Sequence, residues 1–297
     1  MFSTKTRGKV SRKKTGRLVR ALIDRLGFAC PDFDIHSALS AVGFICVYDE
    51  FARKKTGRPK PYARVCRYRH PKTGTQIEVG YERLLPWMPE ARVVLVANDL
   101  TGLRRKEVNR ILDALPKTRL LFVEIAFDFE SASGVGRKFV LCHGRFGKSQ
   151  VRTSRRHPDS LWYGSRRSAK FVRSYPKPGV ANFRVELELH RGFLRKNGIA
   201  SIVHLPLLLH ILIPDHICFY RVDEDSFQKF ASKHLRHSAS IFRIVTANHE
   251  PLGQRLRVFR EKFGLKNLQR QLIPHPVNNS IFNALRIWAR KWYGDAQ

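Results

Sequence analysis

The fold prediction starts from residues 161–190, LWYGSRRSAKFVRSYPKPGVANFRVELELH. From residue 184 to residue 190 polar and apolar side chains alternate, which is typical of a β-strand with one face in the core. The polar positions of this strand are Arg184, Glu186, Glu188 and His190. Just upstream, an extended segment over residues 173–177 would place Arg173, Tyr175 and Lys177 on one face.

A second half-polar strand is predicted at residues 119–130, RLLFVEIAFDFE. Its alternation places Glu124, Asp128 and Glu130 on one face and apolar residues on the other. Two such strands side by side would form an acidic cluster, and clustered carboxylates repel one another unless a cation lies between them. Hard oxygen ligands suit Mg²⁺ or Mn²⁺. The pattern therefore predicts a divalent-metal site, with the ligands Glu124, Asp128, Glu186 and Glu188.

The alternative for these acids is that they are ordinary strand residues paired with the many arginines of the chain. The density of acids decides between the two, because only 24 of the 297 residues are acidic. Two acidic strands in so basic a protein favour the metal site over the ordinary explanation.

The rest of the chain predicts an α+β fold. Further strands are expected at residues 42–51, 62–70, 75–83 and 91–97, where β-branched and aromatic residues lie between turn signals. A helix at about 102–115, capped by Asp99 or Thr101, would join the last of these to the strand 119–130. Leu18, Leu22 and Leu26 recur every four residues, which predicts a short helix ending at Gly27.

Three regions are predicted along the chain. Residues 1–16 read as a basic disordered arm, 17–200 as a sheet-rich domain, and 201–297 as a mainly helical region. The last helix, about 280–293, would carry Ile281, Leu285, Trp288 and Trp292 on one face.

Charge is the strongest compositional signal. The net charge is +32, which indicates a polyanionic partner, either nucleic acid or an anionic membrane surface. The longest apolar run, 205–214, is too short to span a bilayer, and the first twenty residues lack the apolar segment of a signal peptide. Five cysteines without a CxxC pair favour buried thiols in the cytoplasm and make no case for zinc. We therefore expect a cytoplasmic protein that binds nucleic acid and no membrane.

A basic segment precedes the acidic strand. Residues 145–177 contain ten Lys or Arg and a single acid, Asp159. The aromatic pair Trp162 and Tyr163 is interpreted as a stacking platform for single-stranded bases. The cations expected to contact DNA phosphates are Arg166, Arg167, Lys170, Arg173 and Lys177.

Tyr175 is the candidate nucleophile. A free phenol has a pKa of about 10, so it attacks a phosphodiester only with help from a neighbouring cation or a metal-bound phosphate. Tyr175 would lie between Arg173 and Lys177, where a phosphate would dock. Attack would leave a 5′-phosphotyrosine link and a free 3′-hydroxyl. The alternatives are a tyrosine that packs on the sheet or stacks on a base, with Tyr163 as the other candidate nucleophile.

Four segments together resemble the replication initiation factor family, which includes rolling-circle plasmid initiators and related relaxases; the filamentous-phage initiators are similar. The segments are YGSRRS at 163–168, Arg-x-Tyr-x-Lys at 173–177, RVELEL at 184–189 and LRKNGI at 194–199. Upstream, VEIAFDF at 123–129 is similar to the first acidic strand of that family. The resemblance covers about residues 90–200.

The resemblance implies an antiparallel-sheet nicking domain with helices on the sheet, a divalent metal, a tyrosine nucleophile and origin binding. It places Tyr175 on the nucleophile and Asp128, Glu186 and Glu188 on the acidic positions. The chain departs from the wider pattern in two respects. It has no pair of histidines flanking one apolar residue, and Pro176 follows the tyrosine, which restricts Tyr175 to extended geometry.

The resulting hypothesis is a rolling-circle replication initiator, a Mg²⁺- or Mn²⁺-dependent nickase and rejoining enzyme. Its expected partners are single- and double-stranded origin DNA, with a host helicase, a polymerase and a second copy of the chain as further candidates. The alternative is a non-catalytic origin-binding or regulatory protein derived from such an initiator. An RNA-binding protein would explain the charge but not the two acidic strands.

Overall fold

The computed structural model describes residues 17–51, 61–98, 102–130, 140–141, 152–153, 161–163, 168–177, 179, 181–207, 219–235, 237–238, 241, 252–274 and 277–294. The predicted arm 1–16 lies outside the described residues, as do Asp99, Thr101, Arg166 and Arg167. Trp162 and Tyr163 are described in their backbone only.

The protein has an α+β fold built on a ten-stranded sheet. The chain's strands are β1 Arg17–Cys30, β2 Ile45–Phe51, β3 Tyr62–Arg69, β4 Gln76–Arg83, β5 Ala91–Val96, β6 Arg119–Glu130, β7 Val140–Leu141, β8 Arg152–Thr153, β9 Leu161–Tyr163, β10 Lys170–Lys177, β11 Ala181–His190, β12 Phe219–Val222 and β13 Leu272–Pro274. The large sheet runs in the order β2-β3-β4-β5-β1-β6-β11-β10-β9-β8, and neighbouring strands are antiparallel. The strands predicted before residue 97 and the pair 119–130 and 184–190 are confirmed.

The helix predicted around Leu18, Leu22 and Leu26 is wrong, because these residues belong to β1 at the centre of the sheet. The spacing of four is misleading, because Leu22 lies opposite Ala126 and Leu26 opposite Val123, which belong to opposite faces of β6. Gly27, predicted as a helix cap, instead leaves space for the ring of Phe122, which a Cβ at this position would overlap.

A register shift in β1 changes which face its side chains occupy. Ile23 lies opposite Ile125 and Arg25 opposite Glu124, so Asp24 is an extra residue in this strand, a β-bulge. The backbone carbonyl of Asp24 accepts a hydrogen bond from the Ala97 amide at 2.8 Å. Because of the bulge, Ile23 and Leu26 both enter the apolar core.

The helices of six residues or more in the described part of the chain are α1 Ile35–Ala41, α2 Arg105–Ala114, α3 Arg191–Lys196, α4 Glu224–His234, α5 Leu252–Gln269 and α6 Val277–Gly294. Two short helical turns, Ile202–His204 and Leu205–Leu207, follow α3. Helix α2 joins β5 to β6 as predicted, although it begins after Arg104, which makes no side-chain cap. The predicted apolar face of α6 is confirmed, since Ile281, Leu285 and Trp292 are buried in the core. Helices α2 and α6 thus contribute to one core with the apolar face of β6 and β11.

A second core lies in the C-terminal region. Phe227 of α4 and Phe259 of α5 stack with ring centres 4.6 Å apart, and Leu272 of β13 is buried with them. Strand β12 pairs with β13 on one side and with β7 on the other. Helix α6 packs against β1 of the large sheet instead. No helix among the described residues is long and apolar enough to cross a membrane.

Candidate active site

The two acidic strands are neighbours in the sheet. Strand β11 pairs with β6 so that Arg184 lies opposite Asp128, Glu186 opposite Ala126 and Glu188 opposite Glu124. Strand β10 pairs with β11 on its other side, which puts Tyr175 opposite Arg184. The face opposite the apolar core therefore carries the acids, the arginines and the tyrosine together.

These charged side chains are buried. Glu124, Asp128 and Arg184 are 0% exposed and Glu186 is 1% exposed. Burial of a charge costs several kcal/mol unless a partner compensates it. On the polar face of β6 and β11, each buried charge therefore depends on an ion-pair partner to offset the cost of its burial.

Asp128 is held by arginines. Arg184 donates to it from Nε at 2.6 Å and from Nη2 at 3.0 Å, and Arg20 of β1 donates from Nε at 2.5 Å. Arg184 also donates to Asp24 at 3.2 Å. Both oxygens of Asp128 are thus hydrogen-bonded to arginines, and this predicted metal ligand is not one of the acids that lie within 4.8 Å of one another among the described residues.

Three other acids form a compact group that could hold a cation. Asp24, Glu124 and Glu186 each offer a carboxylate oxygen, and these atoms lie within 4.8 Å of one another. We refer to these three residues as the acid triad. Glu188, also predicted as a ligand, instead lies 3.2 Å from His190 and outside the triad. Burial opposes ionisation of Glu188, but the neighbouring imidazole of His190 lowers the pKa of this carboxyl.

Asp24 is the triad member that sequence reasoning missed. It lies in the strand that was predicted as a helix, and no acidic alternation marks it. The bulge in β1 brings it toward Glu124 and Glu186, so its role follows from strand pairing and not from a local pattern.

Glu124 has one buried oxygen without a hydrogen bond. Its Oε1 accepts from Arg173 at 2.9 Å, whereas Oε2 makes no hydrogen bond and lies 3.8 Å from Arg25. Burial raises the pKa of Glu124 well above its ordinary value, and the charge of Glu186 raises it further against the opposing effect of Arg173. This carboxyl group therefore favours a bound proton or a bound cation.

We expect stability to fall as pH rises through the neutral range in the absence of metal. The pKa of Glu124 is raised on folding, so the folded state keeps a proton that the unfolded chain releases at lower pH. That contribution is present below the ordinary carboxyl pKa and is lost as pH passes the raised one. Glu124→Gln should flatten this part of the profile, measured by urea unfolding in EDTA between about pH 5 and pH 8.

The matched control for this profile is Glu78→Gln, which changes an exposed glutamate of β4 paired with Arg67. Its profile should follow that of the unsubstituted protein. Equal slopes for Glu124→Gln and Glu78→Gln would contradict the assignment.

Tyr175 is bound directly to the acid triad. Its hydroxyl donates a short hydrogen bond to Oε1 of Glu186, and the guanidinium of Arg173 donates to Oε2 of the same carboxylate. The guanidinium also lies 5.7 Å from the centre of the Tyr175 ring. Burial raises the pKa of Tyr175, and the charge of Glu186 raises it further. The phenol is thus protonated, with Glu186 in place to receive the proton.

Pro176 occupies the register shift between β10 and β11. Tyr175 pairs with Arg184 and Lys177 pairs with Ala181, so Pro176 falls where the ladder is irregular. A proline has no amide hydrogen to donate, and such a position accommodates it without loss of a sheet hydrogen bond. The residue is exposed and Tyr175 keeps its place in the strand.

The residues predicted to bind DNA fall into different environments. Arg173 is bound to Glu124 and Glu186, and Lys170 lies 5.5 Å from the Phe193 ring. Lys177 ends β10, while Trp162 and Tyr163 pair in β9 with Arg173 and Val172. Arg166 and Arg167 lie outside the described residues.

Two further arginines, which sequence reasoning did not select, lie near the ring of Phe122, and one of them, Arg25, lies 3.8 Å from Glu124. Arg25 and Arg92 lie 5.7 Å and 5.4 Å from the centre of the Phe122 ring. Burial lowers the pKa of Arg92, and the like charge of Arg25 lowers it further. Two neighbouring guanidinium groups of this kind are suited to binding an anion such as a phosphate.

Comparison with models of protein families gives no match, and comparison with the curated proteins gives none either. Function is therefore inferred from the residues of the site. The site combines a phenol that is hydrogen-bonded to a carboxylate, a buried acid triad and nearby arginines. Such a combination suits acid–base and nucleophilic chemistry on a phosphate ester.

Proposed function

We propose that this protein is a rolling-circle replication initiator that nicks one DNA strand at its origin with Tyr175 as the nucleophile. The observation that carries the proposal is the hydrogen bond from Tyr175 to Glu186, a member of the acid triad. The resemblance of residues 90–200 to the replication initiation factor family supports the same assignment.

Glu186 and Arg173 have distinct roles in the proposed step. Glu186 accepts the phenol proton, and the phenolate oxygen of Tyr175 forms a bond to the phosphorus of the scissile phosphodiester. The bond from phosphorus to the 3′-oxygen breaks, and that oxygen takes a proton from water to become the 3′-hydroxyl primer, while Glu186 returns its proton to the solvent. Arg173 orients Glu186 and offsets the charge that develops at the phosphate.

The acid triad fits Mg²⁺ or Mn²⁺. Asp24, Glu124 and Glu186 supply hard oxygen ligands, and the unbonded Oε2 of Glu124 is a buried acceptor that a cation would satisfy. When bound, the ion would polarise the scissile phosphate as a Lewis acid. Glu186 belongs to both groups, so it would couple the nucleophile to the ion site.

Arg25 and Arg92 are placed to contact a neighbouring phosphate. They lie on the same face as the triad, and Arg25 is within 3.8 Å of Glu124. Together with the net charge of +32, they would make origin binding fall steeply as salt concentration rises.

A second candidate function is origin binding without cleavage. The arginine partners of Asp128 and Glu186 already supply positive charge to the buried acids, which is what a purely structural network requires. In that case the polar face stabilises the sheet, and the basic surfaces alone bind the DNA.

The test is incubation of the protein with a supercoiled plasmid carrying its own replicon's origin. We expect open-circle DNA and a covalent protein–DNA band with manganese, and neither product with EDTA. Asp24→Asn, which removes one triad charge, should abolish nicking, whereas the exposed Glu78→Gln should retain it. Tight, salt-sensitive origin binding without nicking in any metal would favour the non-catalytic protein instead.

A further inference from the structure

A second group of potential metal ligands lies away from the acid triad, near the β2 edge of the sheet. It consists of His36 in α1, Asp49 in β2 and Cys66 in β3. One ligand atom from each lies within 4.8 Å of the others, and His36 Nε2 is 3.7 Å from Asp49 Oδ2. In the strand order, β4 and β5 separate this hairpin from β1, which carries Asp24, the nearest strand of the acid triad, so the two groups are distinct.

Each of these three side chains is oriented by a further polar residue. The Tyr68 hydroxyl is hydrogen-bonded to His36 Nδ1 at 3.0 Å, which leaves Nε2 directed at Asp49. Arg64 donates to Asp49 at 2.7 Å, and Cys66 Sγ lies 3.6 Å from the Tyr81 hydroxyl. Metal-ligating histidines in proteins are held in the same way, with the second ring nitrogen bonded to a neighbouring group.

We propose that His36, Asp49 and Cys66 bind a divalent transition metal of the zinc type. Imidazole nitrogen, thiolate sulfur and carboxylate oxygen are the donors of tetrahedral zinc sites, and the sulfur disfavours Mg²⁺ and Ca²⁺. Ligand atoms in such a site are about 3.5 Å apart, so the group closes with shifts of about 1 Å. Water completes the coordination, and the Cys66 thiol proton is released to solvent.

The exposure of His36 allows the three ligands to move together around a metal ion, and the bound ion would link α1 to the sheet. The side chain of His36 is 50% exposed, so it can move and solvent can reach the site, whereas Cys66 is fully buried beneath it. The metal would join α1 to the β2–β3 hairpin at the edge of the sheet. No cysteine motif in the sequence predicts the site, because its ligands come from three separate elements.

The test is titration of the purified full chain with Co²⁺, a spectroscopic substitute for zinc. We expect one equivalent to produce a thiolate-to-cobalt charge-transfer band in the near ultraviolet, which disappears when zinc is added. Cobalt at the acid triad cannot produce this band, because the triad contains no sulfur. Cys66→Ser should eliminate the band, and His36→Ala should weaken cobalt binding at least about tenfold.

The matched control is Cys46→Ser, which changes an exposed cysteine of β2 outside the ligand group. It should retain the band with unchanged stoichiometry. The proposal is overturned if the unsubstituted chain gives no charge-transfer band, if the band survives in Cys66→Ser, or if it is lost in Cys46→Ser. Should Cys66→Ser fail to fold, the exposed His36→Ala decides, because undiminished cobalt affinity in that variant excludes the site.

Discussion

Tyr175→Phe should abolish both strand nicking and the covalent protein–DNA product while leaving origin binding largely unchanged. The substitution removes only the hydroxyl, which is the atom that would form the bond to phosphorus. The ring remains for its contact with Arg173, and Glu186 keeps its bond to the same arginine. The fold should therefore persist, so that loss of activity reports chemistry and not unfolding.

The measurement is a plasmid nicking assay in manganese, with covalent complexes detected on a denaturing gel. Tyr163→Phe is the matched comparison, because Tyr163 is the other candidate nucleophile in the same segment. It should retain nicking. Nicking that survives in Tyr175→Phe and disappears in Tyr163→Phe would transfer the nucleophile to Tyr163 and contradict the role assigned to Glu186.

Arg184→Met should have the largest effect on stability. Arg184 is 0% exposed, and it binds Asp128 through two hydrogen bonds and Asp24 through a third. Methionine is unbranched like the arginine stem but has no charge, so the substitution leaves three buried carboxylates, those of Asp24, Asp128 and Glu186, with less compensation. Breaking a buried ion pair by removal of one partner costs about 3–5 kcal/mol, which should appear as a reduced free energy of unfolding in urea.

Two further variants make this result specific. Arg67→Met removes an exposed arginine that pairs with Glu78 at 3.2 Å, and it should cost no more than about 1 kcal/mol. The double variant Arg184→Met/Asp128→Leu replaces the buried pair by apolar groups and should recover part of the lost stability. An Arg184→Met protein as stable as Arg67→Met would show that the pair does not support the fold.

Much of the site could be predicted from alternation alone. In β6 and β11 the polar residues fall at every second position, and this places Glu124 and Glu186 on the polar side of the sheet whatever the neighbouring strands are. The same alternation in β10 places Tyr175 on one face with Arg173. The amphipathic pattern of α6 likewise predicted its buried face. Such patterns are readable because side-chain direction in a regular element depends only on the local backbone geometry.

Asp24 and the zinc-type ligand group could not be found in this way. Asp24 joins the acid triad because a bulge adds one residue to β1, and a bulge changes the face without a clear mark in the residue pattern. The leucine spacing of β1 even favoured a helix. His36, Asp49 and Cys66 come together only because α1 lies beside the β2–β3 hairpin.

By itself, then, the sequence determined the α+β class, the polar faces of β6 and β11, the strong positive charge and the position of Tyr175 among cations. Only the tertiary structure decided that Asp128 is bound by Arg184 and Arg20, that Asp24 takes its place beside Glu124 and Glu186, and that Tyr175 donates to Glu186. The physical reason is that side-chain alternation is a local property of the chain. Strand order, register and bulges instead depend on how distant segments bury their apolar faces together.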